Sequence, residues 1–230
     1  DNKTVERDLE LTIKRLSKLK LLLKVMQVCP IPELEIEDFL TRLRSSILHN
    51  LTNLSHSRES IMVLSTLALQ CFTNEYLYFE SDRDTEALDA LENRVRQGLE
   101  NKVQPSPLAV MCLASFRTLN SYSWHGLLSL TDDLDRIWKR QILDFKTESA
   151  IRSKMPVLKK ISDTGSLEVR AQYEKHPYPR WTNLKVNLIP QSIYDLATDN
   201  NLRIFDKKIF NCEKPQILVA GCGTGQHAIQ

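Results

Sequence analysis

The chain has 230 residues, is 42% hydrophobic and 26% charged, and carries a formal net charge of +2. This is globular composition, and the charge total gives no case for a nucleic acid or a membrane as partner. No apolar run approaches the ~18 residues of a membrane span; the longest, Leu19–Val28, is interrupted by Lys20 and Lys24.

The first predicted element is "VERDLELTIKRLSKLKLLLKVMQ", one amphipathic helix with Leu9, Ile13, Leu16, Leu19 and Leu23 on its apolar stripe. Pro30 and Pro32 end it, because proline lacks a donor and disfavours helix in the residue before it. "ELEIEDFLTRLRSSILHNL" repeats the pattern through Ile36, Phe39, Leu40, Leu43 and Ile47. Its acids come early and its arginines late, as the helix dipole favours. "SRESIMVLSTLALQCFTNEYLYF" is the most apolar helix, with Ile61 to Leu69 buried on most sides. Ser81 with Asp84 caps the helix that follows, and Ser106 with Pro107 starts another. "TDDLDRIWKRQILDFKTESAIRSK" runs from a Thr/Asp cap towards Pro156. Residues 1–155 therefore read as a helical domain.

Residues 156–200 form a connector rich in aromatics and proline, with short helices at Ser166 to Glu174 and within "PQSIYDLATDN". From Asp135 to Lys185 there are twelve Lys/Arg against six Asp/Glu, which suits a solvated face or an acidic partner. The chain then closes on "ILVAGCGTGQHAIQ". Ile217 to Ala220 have no apolar/polar alternation, the pattern of a central parallel strand buried on both faces. Gly221, Gly223 and Gly225 follow at Gly-x-Gly-x-Gly spacing. Glycine lets the main chain turn sharply and approach a ligand, and the next helix offers free N–H groups. A dinucleotide fingerprint needs a third glycine where Gln226 stands, and no Lys follows as a P-loop requires.

The five cysteines, Cys29, Cys71, Cys112, Cys212 and Cys222, include no Cys-x-x-Cys pair. An odd count without that spacing argues against a disulfide framework or a zinc site and suits a reducing cytoplasm. Cys71 and Cys112 fall in apolar helical patterns and are expected in the core; Cys222 reads as a small loop residue. His49, His56 and His125 fall at helix ends or in loops, where capping or exposure is expected. No Ser/His/Asp arrangement follows from spacing.

"AGCGTG" resembles the first motif of class I S-adenosylmethionine-dependent methyltransferases, and "RAQYEKHPYPRW" resembles the QYE-x-x-PYPRW segment of bacterial methyltransferases linked to tetratricopeptide repeats. The stretch "LALQCFTNEY" is similar to the region that this family places between its repeats and its sheet. The resemblance implies a mainly α chain: a helical domain, a connector, and at 201–230 the truncated start of a Rossmann-like domain. It implies S-adenosylmethionine as cofactor, held by Gly221, Cys222, Gly223, Thr224 and Gly225. The family often has an acid two places before the first glycine; Val219 stands there instead.

Tyr173, Tyr178 and Trp181 have two readings: a lid on the sulfonium, with Arg180 pairing the cofactor's carboxylate, or an anchored linker whose rings pack. On the family pattern the chain is the front piece of a longer protein, inactive alone, with catalytic residues past Gln230. The acceptor is left open, with a lean towards a protein. A helical interaction module fused to a non-catalytic nucleotide-binding fold is the alternative; a nicotinamide-dependent oxidoreductase is disfavoured by Gln226.

Overall fold

The computed structural model describes residues 2–156, 162–175, 189–214, 216, 218–219 and 223–225, with side chains in the first helix from Asp8 onward. The chain divides into two units, Asp1–Arg180 and Trp181–Gln230. The protein is mainly helical, and the described residues contain no strand.

The first unit contains α1 (Asn2–Leu16), α2 (Lys20–Met26), α3 (Leu34–Asn50), α4 (Arg58–Thr73), α5 (Asp82–Glu100) and α6 (Pro107–Phe116). It continues through α7 (Asp135–Trp138), a π-turn at Lys139–Leu143, α8 (Asp144–Arg152) and α9 (Thr164–Lys175). α4 and α6 form the most extensive pair; α1, α2 and α7 pack on α4, and α3 and α5 pack on α6. α6 is apolar all round and buried from Leu108 to Phe116, as a helix enclosed by others must be. Cys71 and Cys112 lie in this core, as do Leu9, Ile13, Leu16, Leu40, Leu43 and Ile47.

The capping signals form as read. Ser81 Oγ accepts from Asp84 N, and the Asp84 carboxylate accepts from Ser81 N, a reciprocal capping box. Ser106 Oγ accepts from Ala109 N with Pro107 as the first helical residue. The expected Thr/Asp cap before Asp135 is different: Leu134 is the N-cap, without a side-chain bond.

The single long helix expected up to Pro30 is two helices. Lys18 N bonds Arg15 O and Leu19 N bonds Leu16 O, while Ser17 Oγ takes Lys14 O. These three-residue bonds tighten the last turn of α1 and end it without proline or glycine. The break re-aims α2, so Leu23 and Met26 enter the core while Leu19, expected on the buried stripe, is 52% exposed.

Arg44 is the main departure inside the bundle. The sequence places it among the late arginines of its helix, where the dipole favours a cation, yet it is only 1% exposed. Its service is to α6 rather than to its own helix. The last four carbonyls of a helix have no partner within it, and in α6 each is satisfied from elsewhere. Arg117 N takes Leu113 O, Gln141 Nε2 and Tyr76 Oη take Ala114 O, Arg44 Nη1 takes Ser115 O, and Arg117 Nη1 takes Phe116 O. Gln141 reaches inward from the π-turn and also accepts from Leu119 N at 2.9 Å. Gln70, with its amide nitrogen facing the carbonyls, donates to Met26 O and Cys29 O and accepts from Ile31 N. The segment after α2 is thereby tied to α4.

In the second unit, α10 (Ile193–Asp199) is capped by Ser192, whose Oγ accepts from Asp195 N. A 3-10 turn at Lys207–Asn211 brings Phe210 edge-on to Tyr194, with ring centroids 5.3 Å apart.

Candidate functional site

Of the glycine-loop residues, Gly223, Thr224 and Gly225 lie among the described residues; Gly221 and Cys222 lie outside them. Gly223 has φ +54° and Gly225 has φ +88°. Both values fall where a side chain is costly and glycine is not, so the turn uses two of its glycines for their backbone freedom. A Cβ placed on Gly223 would meet no atom within 4 Å. Steric crowding by the described residues therefore does not require glycine there; the requirement is the left-handed turn.

The strand expected before this turn does not form at its described positions. Leu218 is 89% exposed and Val219 38% exposed, and neither is extended in a ladder. A parallel strand is stable only when neighbours take its N–H and C=O groups and helices cover its faces; no other strand exists among the described residues to do so. Gln226, which follows the turn, lies outside the described residues.

Tyr173 lies near the end of α9 and is 71% exposed. The carboxylate beside it, Glu174, pairs with Arg152 and Arg170. Arg180, Tyr178, Trp181 and His176 lie outside the described residues. Tyr173 belongs to the first unit and the glycine turn to the second, so the lid and linker readings stand as they did in the sequence.

A second constellation was not legible from spacing. Asp84 Oδ1 accepts from Ser45 Oγ at 2.6 Å and from His49 Nε2 at 3.0 Å, while Oδ2 accepts from Ser81 Oγ at 2.7 Å. Ser45 and His49 are four apart on α3 and so share one face. Serine, histidine and aspartate meet here, but the wiring is not that of a nucleophile. In a catalytic triad serine donates to imidazole and imidazole to carboxylate; here both donate to the carboxylate. The cluster is a hub that joins α3 to the N-terminus of α5. Burial raises the Asp84 pKa, but the bonds from Ser45, Ser81 and His49 outweigh it and bring the value down to about 2.

The sign follows from that shift. The folded pKa lies below the ordinary carboxylate value of 3.8, so the hub's stabilisation is complete above that pH and lost as pH falls towards 2. We predict that Asp84→Asn lowers the unfolding free energy by roughly 2 kcal/mol at pH 7. Urea midpoints of wild type and variant should converge between pH 4 and 2. A gap that stays constant over that range would remove Asp84 as the cause.

Burial pushes the Cys71 and Cys112 thiols up to about 12, against the opposing effect of Arg44. They stay protonated and inert as nucleophiles. Cys29 and Cys212 are exposed and free. Among the described residues no group of three His, Cys, Asp or Glu side chains is placed to hold a metal ion, and no helix is long and apolar enough to cross a membrane.

With this geometry in hand, comparison with known proteins adds no relative: no family model, curated protein or solved structure matches the chain significantly.

Proposed function

We propose that this chain carries the first cofactor-binding turn of an S-adenosylmethionine-dependent methyltransferase, beside a helical domain for recognition of substrate or partner. The observation that carries the reading is the pair of positive-φ glycines, Gly223 and Gly225, flanking Thr224, with open space where a Gly223 side chain would stand. A main chain free of side chains there suits the methionine part of a nucleoside sulfonium. Gln226 occupies the position of the third glycine of a dinucleotide site. The chemistry is in-line transfer of the methyl group from sulfonium to an acceptor nucleophile, favoured chiefly by proximity and orientation. The acceptor proposed is a protein, by analogy with helical domains set beside such sites. Gly221, Cys222, Gly223, Thr224 and Gly225 would line the cofactor, with Tyr173 and Arg180 as candidates for its cation and carboxylate. The compartment proposed is the cytoplasm.

The test is calorimetric titration of the full-length protein with S-adenosylmethionine, S-adenosylhomocysteine and NAD. Micromolar binding of the first two and none of NAD is expected.

A second reading, a helical interaction module joined to a non-catalytic nucleotide-binding fold, is favoured by the exposed Leu19 and Leu21 at the start of α2. Absence of cofactor binding by the full-length protein would select it.

A further inference from the structure

The break between α1 and α2 leaves an apolar trough of about 690 Å³, bounded by Leu19, Leu21, Leu22, Val25, Ile31 and Ile36. Leu21 is 79% exposed and Leu34, at the start of α3, 80%. Monomeric proteins seldom leave large aliphatic side chains grouped in water without a use for them. The trough is not a fault of composition, because a helix continuing from α1 would carry its stripe onward. The break turns Leu23 and Met26 inward and leaves Leu19 and Leu21 exposed, with Leu22 and Val25 half-buried between the two faces.

The charge along the α1–α2 side has one sign, whereas Glu33 and Glu35 stand exposed beside Ile36 at the start of α3. Lys18 and Lys20 line the trough, and Lys14, Arg15 and Lys24 stand exposed on the same two helices. No Asp or Glu occurs from Leu11 to Pro32. None of these five cations forms an ion pair with a described residue. The acids nearest in sequence, Glu33 and Glu35, begin only where α3 opens. The walls are held in shape: Gln70 ties Met26, Cys29 and Ile31 to α4.

We propose that this trough receives an acidic amphipathic helix from a partner protein. Apolar side chains at i, i+3, i+4 and i+7 of the partner enter between Leu19, Leu22, Ile31 and Ile36, and its flanking carboxylates face Lys18 and Lys20. Walls from two segments, Leu21, Leu22 and Val25 on one side and Ile31 with Ile36 on the other, favour a rod-like helix over a lipid surface, and the unpaired cations favour an acidic helix over a neutral one. The proposal rests on α1 to α3 alone and stands or falls apart from the methyltransferase reading.

The experiment uses the 230-residue chain and two labelled helical peptides of about 18 residues, each with Leu at i, i+3, i+4 and i+7. One carries Glu at its remaining charged positions, the other Lys. Fluorescence anisotropy is expected to give saturable binding of the Glu peptide and none of the Lys peptide. Leu21→Asp and the double variant Lys18→Glu/Lys20→Glu should each weaken binding about tenfold or more, with circular dichroism and melting temperature unchanged, since all three side chains are exposed. Raising salt should weaken binding of the Glu peptide.

Equal binding of the two peptides, or full affinity in Leu21→Asp, would overturn the proposal. So would a dimer in sedimentation velocity that Leu21→Asp dissolves, if the Glu peptide does not compete with it. Sedimentation with phosphatidylserine vesicles without any peptide binding would assign the surface to lipid and equally overturn it.

Discussion

Arg44→Ala is expected to lower the unfolding free energy by about 3–5 kcal/mol, the range found when one member of a buried charged network is removed. Arg44 donates to Ser115 O at 3.3 Å, Tyr78 O at 3.1 Å and Phe79 O at 2.9 Å. Its guanidinium carbon lies 4.2 Å from the Phe116 ring centroid and 5.5 Å from that of Tyr78. Among the described residues no carboxylate pairs with it. The charge is offset by three carbonyl dipoles and two aromatic faces, an arrangement suited to the weakly hydrated, planar guanidinium.

The loop that Arg44 holds needs holding. Glu75 and Tyr76 both have positive φ, at 54° and 57°, and each such residue costs on the order of 1–3 kcal/mol. Arg117 completes the clamp through Glu80, at 2.6 and 2.8 Å, and these bonds draw the Glu80 carboxyl below its ordinary pKa.

Three variants separate the causes in urea unfolding. Arg44→Ala loses donors, packing and charge together. Arg44→Met keeps most of the volume, so its remaining deficit measures the carbonyls left unsatisfied. Arg44→Lys keeps the charge but lacks the fork and is expected to recover less than half of the loss. Wild-type stability in Arg44→Met would show that packing alone is the arginine's role.

The second large effect concerns the glycine turn in the full-length protein and tests the methyltransferase reading. Gly225→Val is expected to reduce affinity for S-adenosylmethionine by about a hundredfold or more, because a β-branched residue at φ +88° rebuilds the turn. Gly223→Asn is the sharper variant. Asparagine tolerates the left-handed region at φ +54°, and its Cβ would meet no atom of the protein within 4 Å. The fold should accept it with little change in melting temperature. If the cofactor passes over this turn, the new side chain occupies its space, and affinity should fall about tenfold or more. Undiminished binding in Gly223→Asn would put the cofactor elsewhere. Loss of binding only in proportion to lost stability would make the turn structural.

Much of the helical unit is written locally. Ser81 with Asp84 and Ser106 with Pro107 are short-range devices, complete within four residues, and they form as read. The stripes of α1 and α3 show their buried faces through apolar period alone, and the apolar centre of α4 reads as buried on most sides. The glycine turn is legible for the same reason: φ preference belongs to the residue.

What the sequence could not declare depends on distant backbone. Arg44, Gln70 and Gln141 are long polar side chains on helices, and by periodicity alone they belong to the solvated face. Each is buried because carbonyls or amides from another segment, otherwise unsatisfied, lie within its reach. The orphan carbonyls of α6 meet donors 27 to 71 residues away, apart from the two met by Arg117. The Ser45–His49–Asp84 hub likewise spans two helices. The exposure of Leu218 follows the same rule. The sequence alone determined where the serine-capped helices start, which faces are apolar and where the chain can turn left-handed, because those properties are local to a few residues. Tertiary structure decided which polar side chains go inside and which apolar ones stay out, because a hydrogen bond or a strand pairing exists only once its partner has been brought alongside.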